Sequence, residues 1–144
     1  KKEAIKIYVK LCQDGLIGEQ KIFIRQYIPL YTYMIGIGGI PITKEFRIFV
    51  CNNKIVAKGF YWQNYVDELE SIPNCNEIPH EFEQKIINII GNKSNFYTSY
   101  VAQTQSGDWI VVELNDGCSD GLSVIDPDEF YKSLRQNVEN ENVL

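Results

Sequence analysis

KEFRIFVCNNKIVAKGFYW, Lys44 to Trp62, reads as a β-hairpin and decides the fold. Asn52-Asn53 is a two-residue turn whose members both tolerate the positive φ that such a turn demands. In the first arm Phe46, Ile48 and Val50 fall on one face, and Glu45, Arg47 and Phe49 on the other. An arginine inside so apolar a strand needs an anion, because a buried unpaired charge is costly. One partner is Glu45, two residues away on the same face. The other is a phosphate gripped bidentately by the guanidinium.

Working outward, Phe96 to Thr104 and Asp108 to Leu114 predict a second hairpin around Ser106-Gly107. Lys21 to Ile28 alternates two apolar-rich faces, with Ile22 and Ile24 on one and Phe23, Arg25 and Tyr27 on the other. It reads as a strand stopped by Pro29. Tyr31 to Thr43, carrying Gly36, Gly38, Gly39 and Pro41, reads as a loop. Ala4, Ile5, Tyr8, Leu11 and Cys12 mark one face of a helix ended by Asp14-Gly15. Glu81 to Ile90 predicts an amphipathic helix through Phe82, Ile86, Ile87 and Ile90, with Gly91 as its C-terminal cap. Asn64 to Pro79 is a polar connection that starts with a short helical turn. Asp126 reads as an N-cap, Pro127 as the first helical residue and Glu129 as its capping partner. Phe130, Tyr131 and Leu134 are the apolar side of that last helix. The order predicts an α+β fold: an antiparallel sheet with helices packed on one face. One domain spans residues 1–137, and 138–144 read as a polar tail.

With 144 residues and 44% hydrophobic composition, the chain supports one core and would strain to build two. A net charge of −5 argues against a nucleic-acid partner that needs a broad basic surface. Cys12, Cys51, Cys75 and Cys118 include no Cys-x-x-Cys pair, and His80 is the sole histidine, at a helix start. That pattern argues against zinc and for reduced thiols in a cytoplasmic protein. No apolar run reaches membrane-spanning length and no signal peptide opens the chain. The Lys1-Lys2 start, directly on a helical pattern, suggests a segment of something longer.

The densest chemical signal is Glu113-Leu114-Asn115, which closes the run Trp109-Ile110-Val111-Val112 before Asp116-Gly117. Side chains two apart on a strand share a face, so a carboxylate and an amide oxygen stand side by side. These are hard oxygen ligands of the kind Mg²⁺ takes while it also holds nucleotide phosphates. The competing reading makes Asn115-Asp116-Gly117 a turn and Glu113 a solvated strand-end charge.

The ordered set of motifs resembles the C-terminal subdomain of the ATP-grasp superfamily. It comprises Ile22-Phe23-Ile24-Arg25-Gln26-Tyr27-Ile28-Pro29, Glu45-Phe46-Arg47-Ile48-Phe49-Val50, Lys54-Ile55-Val56-Ala57, Trp109 to Gly117, and Ser119-Asp120-Gly121-Leu122. The likeness covers about four-fifths of the chain. It is nearest a bacterial and phage clade with two arginines and a lysine in its nucleotide site. The resemblance implies that Arg25, Gln26, Tyr27 and Ile28 pass the adenine ring of ATP. It implies that Arg47 faces the phosphates and takes the catalytic role, and that Glu113 and Asn115 bind Mg²⁺. The implied chemistry joins a carboxylate to an amine through an acyl phosphate. Two departures stand out. Tyr100 occupies the place of an expected acidic metal ligand, and a lysine strand with a phosphate-covering loop is expected upstream of residue 1. A domain that binds nucleotide or protein without ligating is the alternative. So is an interaction module using Tyr27, Tyr31, Tyr33 and Phe60-Tyr61-Trp62, residues that core packing would also explain. Homo-oligomerisation through an exposed sheet stays open.

Overall fold

The computed structural model describes residues 2–15, 18, 20–22 and 24–141. Helix α1 spans Lys2–Cys12. Strands β1 (Thr32–Ile35) and β2 (Pro41–Thr43) form a small hairpin. Strands β3 (Glu45–Cys51), β4 (Lys54–Phe60), β5 (Phe96–Gln103) and β6 (Trp109–Asp116) form the main sheet, helix α2 (His80–Ile90) lies between β4 and β5, and α3 spans Pro127–Glu141. The sheet is antiparallel throughout, in the order β4-β3-β5-β6. The α+β class is therefore observed.

Local chemistry explains the turns. Asn52 and Asn53 hold φ of 49° and 62°, the left-handed pair that a two-residue hairpin needs. Gly107, at φ 93°, turns β5 into β6. The Asp126 carboxylate accepts the Glu129 N–H at 2.9 Å and caps α3. Gly91 follows α2 in right-handed geometry, so its glycine answers to space instead of to φ. A Cβ there would stand 1.7 Å from Asn53 Oδ1.

All seven residues of β3 are buried, which requires cover on both faces. Phe46, Ile48 and Val50 pack with Ile86 and Ile87 of α2 and with Phe60, Tyr97 and Val101. Phe49 and Cys51 pack with Phe130 of α3, the two phenyl rings 4.8 Å apart. The helices thus divide between the two faces, where the sequence suggested one. Phe49 is the reason: counted with the polar side, it anchors α3.

Two further expectations are corrected. Lys21 to Ile28 is not a strand over its described residues, and Phe23 lies outside them. Alternation makes a strand only where a neighbour supplies a ladder, and among the described residues the segment's hydrogen bond to β6 comes from the Arg25 side chain, with Ile24 and Tyr27 exposed. Tyr31 to Thr43 is not a plain loop. Thr32, Met34 and Ile35 pair with Thr43, Ile42 and Pro41, and the glycines supply the turn, Gly38 and Gly39 at φ of 71° and 80°. Helix α3 also continues past Asn137 to Glu141, because the buried Asn137 amide donates to the Cys51 carbonyl at 2.6 Å. Residues 142–144 of the expected tail lie outside the description. Among the described residues no helix is long and apolar enough to cross a membrane.

Candidate functional site

Three strands bring the site together in one row. Arg47 on β3 pairs with Tyr100 on β5, and Tyr100 pairs with Glu113 on β6. Directly opposed residues of neighbouring strands share a face, so the sheet presents a guanidinium, a phenol and a carboxylate side by side. Asn115, two residues beyond Glu113, continues that face.

Arg47 is buried, at 8% exposure, and forms no ion pair among the described residues. One Nη donates to the Gly121 carbonyl. The other donates to the Tyr100 hydroxyl at 2.7 Å. The guanidinium carbon lies 4.7 Å from the Tyr100 ring and 5.3 Å from that of Tyr61, within cation–π range. Its Nε has no partner among the described residues. No carboxylate stands within ion-pair distance of the guanidinium among the described residues, which makes an incoming anion favourable. The Glu45 partner considered from the sequence forms no ion pair with Arg47 among the described residues and feels its charge only at longer range: the Glu45 carboxylate accepts from Thr43 Oγ1 at 2.9 Å.

Burial raises the Glu45 pKa above the ordinary carboxylate range. The Thr43 hydrogen bond and the Arg47 charge oppose the rise, and the Glu113 charge adds to it. A carboxyl held more tightly protonated in the folded state stabilises the fold at low pH. That contribution is lost as pH rises through the folded pKa. Glu45→Gln should therefore raise the melting temperature at pH 7 and change it little at pH 4. A calorimetric series giving the reverse order would overturn this account.

Tyr100 is a buried phenol. Burial, together with its hydrogen bond to Asp120, pushes its pKa up to about 12. It stays protonated at neutral pH and is a poor cation ligand. Its hydroxyl donates to Asp120 Oδ1 at 2.8 Å. Asp120, between β6 and α3, was assigned no role in the sequence reading. Loop residues carry no periodicity, and only its place in the Ser119-Asp120-Gly121-Leu122 motif, just after Glu113-Leu114-Asn115, pointed to it.

Arg25 meets β6 at Val112. Between Tyr100 and Val101 the β5–β6 register slips, leaving Val112 without an opposite residue. Arg25 Nη1 donates to the Val112 carbonyl at 2.5 Å. A bulge beside a functional site commonly redirects a strand in this way. Arg25, Gln26, Tyr27 and Ile28 line a groove of about 550 Å³ along Ile110, Val111 and Val112. Arg25 and Glu113 share a neighbouring groove of about 530 Å³. Arg47 instead lines a cavity of about 460 Å³ with Tyr61, Trp62, Gln63, Asn64 and Tyr65. The aromatic residues considered as a partner surface separate: Phe60 is core, while Tyr27 is 83% exposed.

The family model described as "ATP-grasp domain, R2K clade family 3" matches residues 2–134. The chain belongs to this ATP-grasp family. No curated protein matches the ATP-grasp chain. Among solved structures it is similar to the macrocyclase MdnB from Microcystis aeruginosa MRC, at 14% identity and a TM-score of 0.45. That match covers 94% of this chain and 40% of the macrocyclase chain, so the ATP-grasp chain spans less than half of it.

The residues present were tested against the divalent ion that ATP-grasp membership implies. Among the described residues, no group of three His, Cys, Asp or Glu side chains is arranged as a metal centre. Mg²⁺ does not require one, since it usually takes one or two carboxylates together with water and phosphate oxygens. The exposed Glu113 carboxylate lies 3.1 Å from the Asn115 amide. Asp120 Oδ1 lies 3.4 Å from the Asn115 amide, and its Oδ2 is shielded from solvent with no donor among the described residues. This oxygen-rich set fits a hard divalent cation.

Proposed function

We propose that this ATP-grasp domain binds ATP with Mg²⁺ and serves carboxylate–amine ligation through an acyl phosphate. The observation that supports this reading is the buried Arg47, without an ion pair among the described residues and in one sheet row with Glu113. In the proposed complex Glu113 and Asn115 hold the ion, which neutralises charge on the phosphates. Arg47 binds the transferring phosphoryl group through its donors, and its low-dielectric setting strengthens that contact. The groove along Arg25, Gln26, Tyr27 and Ile28 takes the adenine, with main-chain groups reading its edge. Arg25 and Arg47 are the two arginines of the site. No protein nucleophile is needed, since phosphoryl transfer of this kind rests on positioning and electrostatics.

Calorimetric titration of ATP with and without Mg²⁺ tests the proposal. Binding should require Mg²⁺, and Glu113→Gln should weaken it about tenfold or more, the scale of a lost metal contact. Binding of equal strength without the ion would remove Glu113 and Asn115 from the metal role. A second reading, nucleotide binding without ligation, is favoured by the protonated Tyr100. ADP release that stays at background across carboxylate and amine mixtures, despite Mg²⁺-dependent ATP binding, would select it.

A further inference from the structure

Arg47 and the groove of Arg25 to Ile28 belong to opposite ends of the sheet row. The groove follows β6, two strands from β3, a separation of about 10 Å at the usual strand spacing. The cavity of about 460 Å³ that Arg47 lines is built instead from the segment after β4, the strand on the other edge of β3. That volume suits a small organic ligand. Its aromatic wall is held in place. The Tyr61 ring lies 5.3 Å from the guanidinium carbon, Trp62 is 4.9 Å from Tyr61, and Tyr65 is 6.2 Å from Trp62, each ring pair nearly perpendicular. Trp62 Nε1 donates to Thr43 Oγ1 at 3.0 Å, and the Tyr65 hydroxyl accepts the Ile37 N–H at 3.3 Å. Gly36 lies against Tyr65 so closely that a Cβ would stand 2.7 Å from its ring. Rings fixed in advance bind a ligand at little entropic cost. Among the described residues Arg47 is the one charged side chain in the lining, and its buried Nε has no partner.

We propose that this cavity holds the acid that accepts the phosphoryl group, and that it selects a monocarboxylate with an aromatic, otherwise uncharged body. The assignment deepens the ligation reading above and rests on it. ATP laid from the β6 groove along the row brings its terminal phosphate to Arg47 and leaves the cavity for the second substrate. There the carboxylate meets the guanidinium and the body packs on Tyr61, Trp62 and Tyr65, edge-to-face or offset. An α-ammonium on the acid would find no carboxylate in the lining, and a second carboxylate would find no further cation, so either charge would be desolvated unpaired. In the transfer a carboxylate oxygen bonds to the terminal phosphorus, the bond from phosphorus to the bridging oxygen breaks, and ADP leaves with that electron pair.

The test follows the indole N–H resonances of Trp62 and Trp109, the two tryptophans of the chain, assigned by Trp62→Phe. Three probes share one carbon skeleton: phenylacetate, phenylglycine with an added ammonium, and phenylmalonate with an added carboxylate. Phenylacetate should shift the Trp62 signal, and the other two should bind about tenfold more weakly, the scale of leaving a charged group unpaired. Arg47→Ala, checked for folding by thermal melts, should weaken phenylacetate by a similar factor. Mg²⁺ with the non-hydrolysable imido analogue of ATP should bind together with phenylacetate and not displace it. An unmoved Trp62 signal would overturn the assignment, and so would equal affinity for the three probes or wild-type affinity in Arg47→Ala. Displacement of phenylacetate by the nucleotide would overturn it too, giving the cavity to the base, while ATP binding itself would stand. Phenylacetate at Trp62 with no nucleotide binding at all would overturn the ATP reading and, with it, the acid's role as phosphoryl acceptor.

Discussion

Arg47→Ala is expected to lower affinity for Mg²⁺–ATP on the order of 100-fold, as loss of a buried charged contact to a ligand costs roughly 2–5 kcal/mol. The same change should cost the unliganded fold little, about 1 kcal/mol or less. The lost hydrogen bonds to Gly121 and Tyr100 and the ring contacts are offset by removing a desolvated cation that has no ion-pair partner among the described residues. Arg47→Lys should not restore binding, because an ammonium cannot reproduce the planar fork or its contacts with the Tyr61 and Tyr100 rings. Parallel calorimetry and thermal melts decide the matter. Unchanged ATP affinity combined with a large fall in melting temperature would make Arg47 a structural group only.

The second large effect concerns the fold. Phe46 is fully buried, with ring contacts to Phe60 at 6.0 Å and Trp109 at 5.9 Å. Phe46→Ala should destabilise the protein by about 3–5 kcal/mol, the usual cost of emptying a phenyl-sized space in a packed core. For a domain of this size that corresponds to a fall of about 10 °C in melting temperature. Its neighbour Arg47 points to the opposite face, so ATP binding per folded molecule should persist below the new transition. A denaturant titration with an unchanged midpoint would mean that this face of β3 does not depend on α2 for its stability.

How much of this was legible in the sequence depends on how local the determining physics is. The β3–β4 hairpin could be read because Asn52-Asn53, the strand alternation and the β-branched content all agree within nineteen residues. Glu113 and Asn115 could be paired because two-residue spacing fixes a common face. The Lys21–Ile28 segment could not be read correctly, because its alternation gives no information on whether a neighbouring strand exists. The β1–β2 hairpin was hidden by glycines that serve the turn itself. Phe49 misled for a different reason: it shares a face with Glu45 and Arg47, and only the position of Phe130 shows that this face is half core. The row from Arg47 through Tyr100 to Glu113 is a matter of register between distant strands, which no local pattern encodes. Asp120 depends on that register as well, since its partner Tyr100 is on β5.

The position of β3 carries a consequence for the nascent chain. This strand leaves the ribosome with β4 directly behind it, and the hairpin can close at once. Its other edge, from Glu45 to Cys51, waits for Phe96 to Ala102, so α2 and the connecting segments must be synthesised first. During that interval Phe46, Ile48, Val50 and Phe49 stand uncovered beside a row of open backbone donors and acceptors, the form of strand most prone to pair with another chain. Arrested translation between β4 and β5 should therefore give a chain that binds holdase chaperones, and release past Ala102 should end that binding. The sheet that assembles the row of charged groups in the finished protein is, until that moment, the chain's most adhesive surface.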